Sequence, residues 1–148
     1  MLKRILLFTS LIFLFTSISF AQNQGSGLGL GLQIGEPTGV SVKGWLSHKG
    51  AFQLGIGWPT LSQTNGLAIS AEYLWHSYAL SSREWFPLFY GLGGIFGNDI
   101  IGARGIFGLA WWPHRSSLDI YLQLAPALYF KPSSRFDLDF GFGVRYFF

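Results

Sequence analysis

The chain has 148 residues, no cysteine, only 11% charged residues and a formal net charge of +3. It therefore has no disulfides or thiol chemistry, and no basic cluster marks it for nucleic acid. With 49% hydrophobic and 18% aromatic residues, it lacks the charged surface of a small soluble domain.

Lys3 and Arg4 open the chain, an apolar stretch covers residues 5–18, and Ser19-Phe20-Ala21 follows. A positive start, a short apolar run and small residues at the −3 and −1 positions of a cleavage site predict a signal peptide over residues 1–21. The run is short for a membrane helix of ~20 residues and carries hydroxyl groups. Ala21 is not followed by cysteine, so lipoprotein anchoring is not expected. Residues 22–148 then form one domain. Without Lys3 and Arg4 this domain holds eight basic and seven acidic residues, close to neutrality.

From there the pattern alternates with period two, the signature of strands whose side chains point to opposite faces. The first strand is predicted over 26–34, with Leu28, Leu30, Leu32 and Ile34 on one face and glycines and Gln33 on the other. Gly35-Glu36-Pro37-Thr38-Gly39 breaks it as a turn. Further strands are predicted over 40–46, 51–58, 67–76, 88–96, 100–111 and 118–130. Pro126 removes a ladder donor from the seventh, which predicts a bulge or local break. The eighth, over 136–148, has Phe136, Leu138, Phe140, Phe142, Val144, Tyr146 and Phe148 on one face. Its other face carries Asp137, Asp139, Gly141, Gly143 and Arg145. A face of charges and glycines has little bulk to pack, so the apolar face is the one expected to meet lipid. Eight strands, an even number, predict an all-β, eight-stranded antiparallel up-and-down transmembrane β-barrel.

With the termini in the periplasm, strand parity puts Trp45, Trp75, Trp85, Trp111, Trp112, Tyr78, Tyr90 and Tyr146 near the periplasmic rim. Trp58, Phe96, Phe130 and Phe136 fall near the other, and two aromatic girdles are what a membrane barrel needs.

The polar faces put Gln33, Lys43, Gln53, Glu72, His76, Arg104, Asp119, Gln123, Asp137, Asp139 and Arg145 in the lumen. An eight-stranded barrel is only wide enough for its side chains to fill it, and buried charges must pair. Lys43, Arg104 and Arg145 balance Glu72, Asp137 and Asp139, which predicts a structural plug around Glu72, Arg104 and Arg145. The same groups could instead line a narrow ion path.

A lipid-modifying enzyme would need a hydroxyl, an imidazole base and an orienting carboxylate. The candidates are Ser47 beside His48, Ser77 beside His76, and His114-Arg115-Ser116 with Asp119 nearby. All three histidines fall at the periplasmic rim among aromatics, where anchoring is the expected role, so no catalytic residue is assigned. No metal-ligand spacing and no phosphate-binding loop is visible, and no cofactor is expected. A soluble lipocalin-like carrier is also eight-stranded, but needs a polar exterior and an apolar cavity.

Three segments carry a resemblance: G-E-P-T-G at 35–39, Y-L-W-H-x-Y at 73–78, and F-D-L-D-x-G-x-G-V-R-Y-x-F at 136–148. The chain resembles the small eight-stranded outer-membrane proteins of the OmpA/OmpX-like group, and uncharacterised short barrels within it. That resemblance implies a Gram-negative outer-membrane location and contact with outer-membrane lipid. It also implies insertion by the barrel-assembly machinery, which reads a closing aromatic strand, here through Tyr146 and Phe148. It implies no activity, and the expected function is a structural or surface-interaction role.

Overall fold

A computed structural model describes residues 27–60, 66–79, 85–113, 116–131 and 133–148. The predicted leader, residues 1–21, lies outside them.

The alternating segments form eight strands: β1 (Leu28–Gly35), β2 (Thr38–Trp45), β3 (Gly50–Trp58), β4 (Ala68–Ser77), β5 (Leu88–Gly97), β6 (Ile101–Trp111), β7 (Leu118–Lys131) and β8 (Arg135–Phe147). Each pairs antiparallel with its neighbours in sequence, and β8 returns to β1 from Gly29↔Phe147 to Gly35↔Gly141. The sheet is thus a closed up-and-down barrel. Closure leaves no strand edge and gives every strand two neighbours. No described residue is helical.

The register explains how charges on distant strands meet. Moving from strand to strand through opposed residues, Gly29 leads to Lys43, Gln53, Glu72, Gly93, Arg104, Ala127 and Asp137. The β8 residue opposite Gly29, however, is Phe147, ten positions beyond Asp137. A stagger of this kind tilts the strands against the barrel axis. A row of opposed residues therefore climbs the wall, and the row of Lys43 and Arg104 reaches β8 only at its far rim.

Pro126 acts as a local break, not a bulge. The β6–β7 ladder lacks the two pairs Gly105–Pro126 and Ile106–Ala125, which a proline nitrogen cannot complete, and resumes in the same register at Phe107↔Leu124. The register shift lies elsewhere, between Ile101 and Gly102.

Inside, two apolar clusters lie toward the two rims. Leu74, Phe89, Ile106, Ala110, Trp112, Tyr121 and Ala125 form one, with Trp45 and Tyr78 packed on it. Ala68, Ile95, Ile100, Ala127 and Tyr129 form the other. Buried polar and charged residues occupy the lumen between and among them. The turn between β1 and β2 folds over the second mouth: Glu36 is buried, and the Gln33 amide donates to the Pro37 carbonyl at 3.1 Å. Gly35 makes that entry possible, because its φ of +136° suits no residue with a Cβ.

Candidate functional site

The charged side chains of the lumen form two clusters. In the first, Asp119 of β7 is the hub. Arg145, directly opposite on β8, places Nη2 2.9 Å and Nε 3.1 Å from Asp119 Oδ2. Lys43 Nζ reaches across from β2 to 3.7 Å from the same oxygen, and the Trp112 indole donates to Oδ1 at 3.2 Å. Lys43 also donates to His76 Nε2 at 2.8 Å, while His76 Nδ1 donates to the Lys49 carbonyl at 3.1 Å. These bonds fix a neutral imidazole with its proton on Nδ1, since Nε2 accepts from an ammonium. Aromatic faces complete the cluster. Lys43 Nζ sits 4.5 Å from the Trp45 ring centre, and the Arg145 guanidinium 3.9 Å from that of Tyr121.

In the second cluster Arg104 of β6 is the hub. Its Nη2 pairs with Glu72 Oε1 at 2.9 Å, its Nη1 donates to the Glu36 carbonyl at 2.7 Å, and Asp139 Oδ2 lies 3.9 Å away. The Glu72 and Arg145 contacts through Nη2 are ion pairs rather than well-aligned hydrogen bonds. The Tyr129 hydroxyl donates to Asp139.

Gln53 of β3 joins the two. Its carbonyl oxygen accepts from Arg145 Nη1 at 2.7 Å, and its amide donates to Gln123 at 3.2 Å and to Glu72 at 3.4 Å. Tyr121 ties the wall together, its hydroxyl 2.6 Å from Gln33 Oε1 and 3.0 Å from Ser41 Oγ. Lys43, Arg104 and Arg145 thus face Glu72, Asp119 and Asp139. Each of these pairs spans strands, so the network cross-braces the barrel. Buried pairs of this kind gain little net energy, but losing one partner is costly.

The placement of several predicted site residues needs correction. Asp137 has the lumen's parity but sits at the mouth. Its carboxylate meets Arg135 at 2.9 Å, with side chains 47% and 31% exposed. The stagger carries it to the rim, and Asp119, which the charge balance omitted, stands where it was expected. Glu72, Arg104 and Arg145 also do not form one ion-paired group: Glu72 and Arg104 pair with each other, Arg145 pairs with Asp119, and Gln53 links the two pairs. Of the girdle residues, Trp58, Trp75, Trp111 and Tyr146 point outward and are exposed, and Tyr146 packs edge-on against Phe148 at 5.4 Å. Trp112 and Trp45 do not belong to such a belt. Trp112 follows outward Trp111 and therefore turns in, where it is buried. Trp45 shares the inward face of Lys43 and packs on His76 at 4.3 Å. The hairpin register was the available signal for Asp119, because it sets Asp119 opposite Arg145.

His76 is spoken for by Lys43 and Lys49, and Ser77 is its chain neighbour on the other face. The His114–Ser116 constellation falls partly outside the described residues, at 114 and 115. No group of three potential metal ligands occurs among the described residues. Comparisons of the chain with protein-family models, curated proteins and solved structures find no match.

Proposed function

We propose that the protein is an integral β-barrel of the Gram-negative outer membrane, with a structural or surface-interaction role and a lumen closed by its own charge-paired side chains. The observation that carries this reading is the inversion of the barrel. Leu32, Leu92, Phe107 and Phe136 are 69%, 67%, 60% and 70% exposed on the outer wall, while Lys43, Asp119 and Arg145 are 0% exposed inside. Outward apolar residues occur on all eight strands, and the register sets many of them side by side, as in Leu32, Val40, Ile56, Ile69 and Phe96. Soluble monomers rarely expose apolar patches beyond a few hundred Å², and in water each Å² costs about 25 cal/mol. A bilayer removes that cost, and a closed barrel is one of the two folds that satisfy its backbone within lipid.

A soluble carrier is the opposite arrangement, with an apolar cavity and a polar wall. Here the middle of the lumen is occupied by the Lys43, Asp119, Arg145, Gln53, Glu72 and Arg104 side chains. Outer-membrane lipid is then the surrounding solvent, and the barrel-assembly machinery is the partner that inserts the strands.

Fractionation of cells expressing the full chain tests this. The protein is expected in the outer-membrane fraction, with a folded band on gels that shifts on boiling. Recovery in the soluble periplasmic fraction would overturn the reading.

A further inference from the structure

The rim where β1 begins and β8 ends carries a cavity of about 480 Å³ whose lining shares only His76 with the charged network of the lumen. It opens between the β2–β3 turn and the adjoining ends of β4 and β5, within the size range of small-molecule sites. Trp75 and Tyr90 supply an aromatic wall on the outer face, their rings stacked at 6.0 Å and 22°. His48 and Lys49 come from the turn, His76 and Ser77 from the end of β4, and Tyr78 follows that strand.

The turn is held firmly. The Lys49 carbonyl accepts from the His76 backbone N–H at 2.8 Å and from His76 Nδ1 at 3.1 Å. The Tyr78 hydroxyl donates to the His48 carbonyl at 2.5 Å. The Lys49 side chain is left exposed, in no ion pair among the described residues.

We propose that this cavity binds the phosphate headgroup of an anionic phospholipid. Lys49 is the selecting cation, Ser77 a hydroxyl donor, and the Trp75–Tyr90 wall the surface for the glycerol and first methylenes. The inference rests on the membrane reading above. A lysine ammonium is a compact point charge suited to phosphate, and amphipathic aromatic rings sit at headgroup level. A free phosphate would use the cation and leave the aromatic wall uncovered, so the lipid accounts for both halves of the cavity.

The test is native mass spectrometry of the full chain, folded in micelles doped with equal amounts of phosphatidylglycerol and phosphatidylcholine. Lys49→Gln is compared with Lys131→Gln, an exposed lysine ending β7 at the opposite rim. The wild type is expected to retain one phosphatidylglycerol in preference to phosphatidylcholine. Lys49→Gln should lose about fivefold of that preference, the worth of one lysine near an anionic surface, and Lys131→Gln should keep it. Equal retention by Lys49→Gln and wild type, or equal loss in both variants, overturns the proposal. Displacement of the lipid by inorganic phosphate at matched concentration overturns the lipid assignment. Heat-modifiable mobility is read on the same samples. Loss of the folded band counts against the barrel reading itself, whereas a folded band without lipid preference counts against this site alone.

Discussion

Asp119 shows how much a single buried position can hold in the lumen. Its two oxygens receive Arg145, Lys43 and the Trp112 indole. Asp119→Asn keeps the size and one acceptor but leaves two buried cations without their counter-charge. The expected cost is about 3–5 kcal/mol, read from urea unfolding of vesicle-inserted protein. Asp137→Asn at the exposed rim should cost no more than about 1 kcal/mol. Equal losses in the two variants would mean that Asp119 is not the hub. Both aspartates have lumen parity, so alternation alone does not separate them. What separates them is height, and height comes from the stagger between strands, a property of the closed sheet and not of any one segment.

At the scale of the strand, period-two alternation carries nearly everything. The observed ends of β1 to β8 lie within two residues of the expected ones, because Gly, Pro and Asn clusters mark the turns while alternation marks the interiors. Inward membership was legible for the same reason: Gln33, Lys43, Gln53, Glu72, Arg104, Gln123 and Arg145 are all buried. Trp45 and Trp112 were misread because aromatic character near a rim suggests a girdle, whereas the face is set by the residue next door. The partners across the lumen were not legible, since Lys43–His76 and Arg145–Gln53 join strands that share no turn. Inter-strand approach has its own requirement. A Cβ on Gly31 would lie 1.8 Å from the Val144 carbonyl oxygen on β8, whereas one on Gly44 would meet Leu28 Cδ1 at an ordinary 3.7 Å. Gly31→Ala is expected to destabilise by about 1–3 kcal/mol through forced separation of β1 from β8. Gly44→Ala should remain within about 0.5 kcal/mol of wild type. Matched refolding titrations check the pair, and equal values would contradict the close approach.

For the whole barrel, the interior and the exterior make separate demands. The interior clusters and the inward turn at Glu36 put buried side chains across the lumen, so planar-bilayer recordings of the wild type should show no stable conductance. Steady single-channel openings would show that the braces part and that the lumen is a path. The exterior carries the central claim: on the proposed reading, the outward residues face lipid. The absence of cysteine allows nitroxide labels to be placed one at a time at Leu92, Leu124 and Phe140. In reconstituted vesicles, collision with molecular oxygen, which partitions into lipid, is compared with collision with a water-soluble nickel chelate. All three labels are predicted to be far more accessible to oxygen than to nickel. Labels on this wall that meet the nickel chelate as freely as a soluble surface does would contradict the membrane barrel.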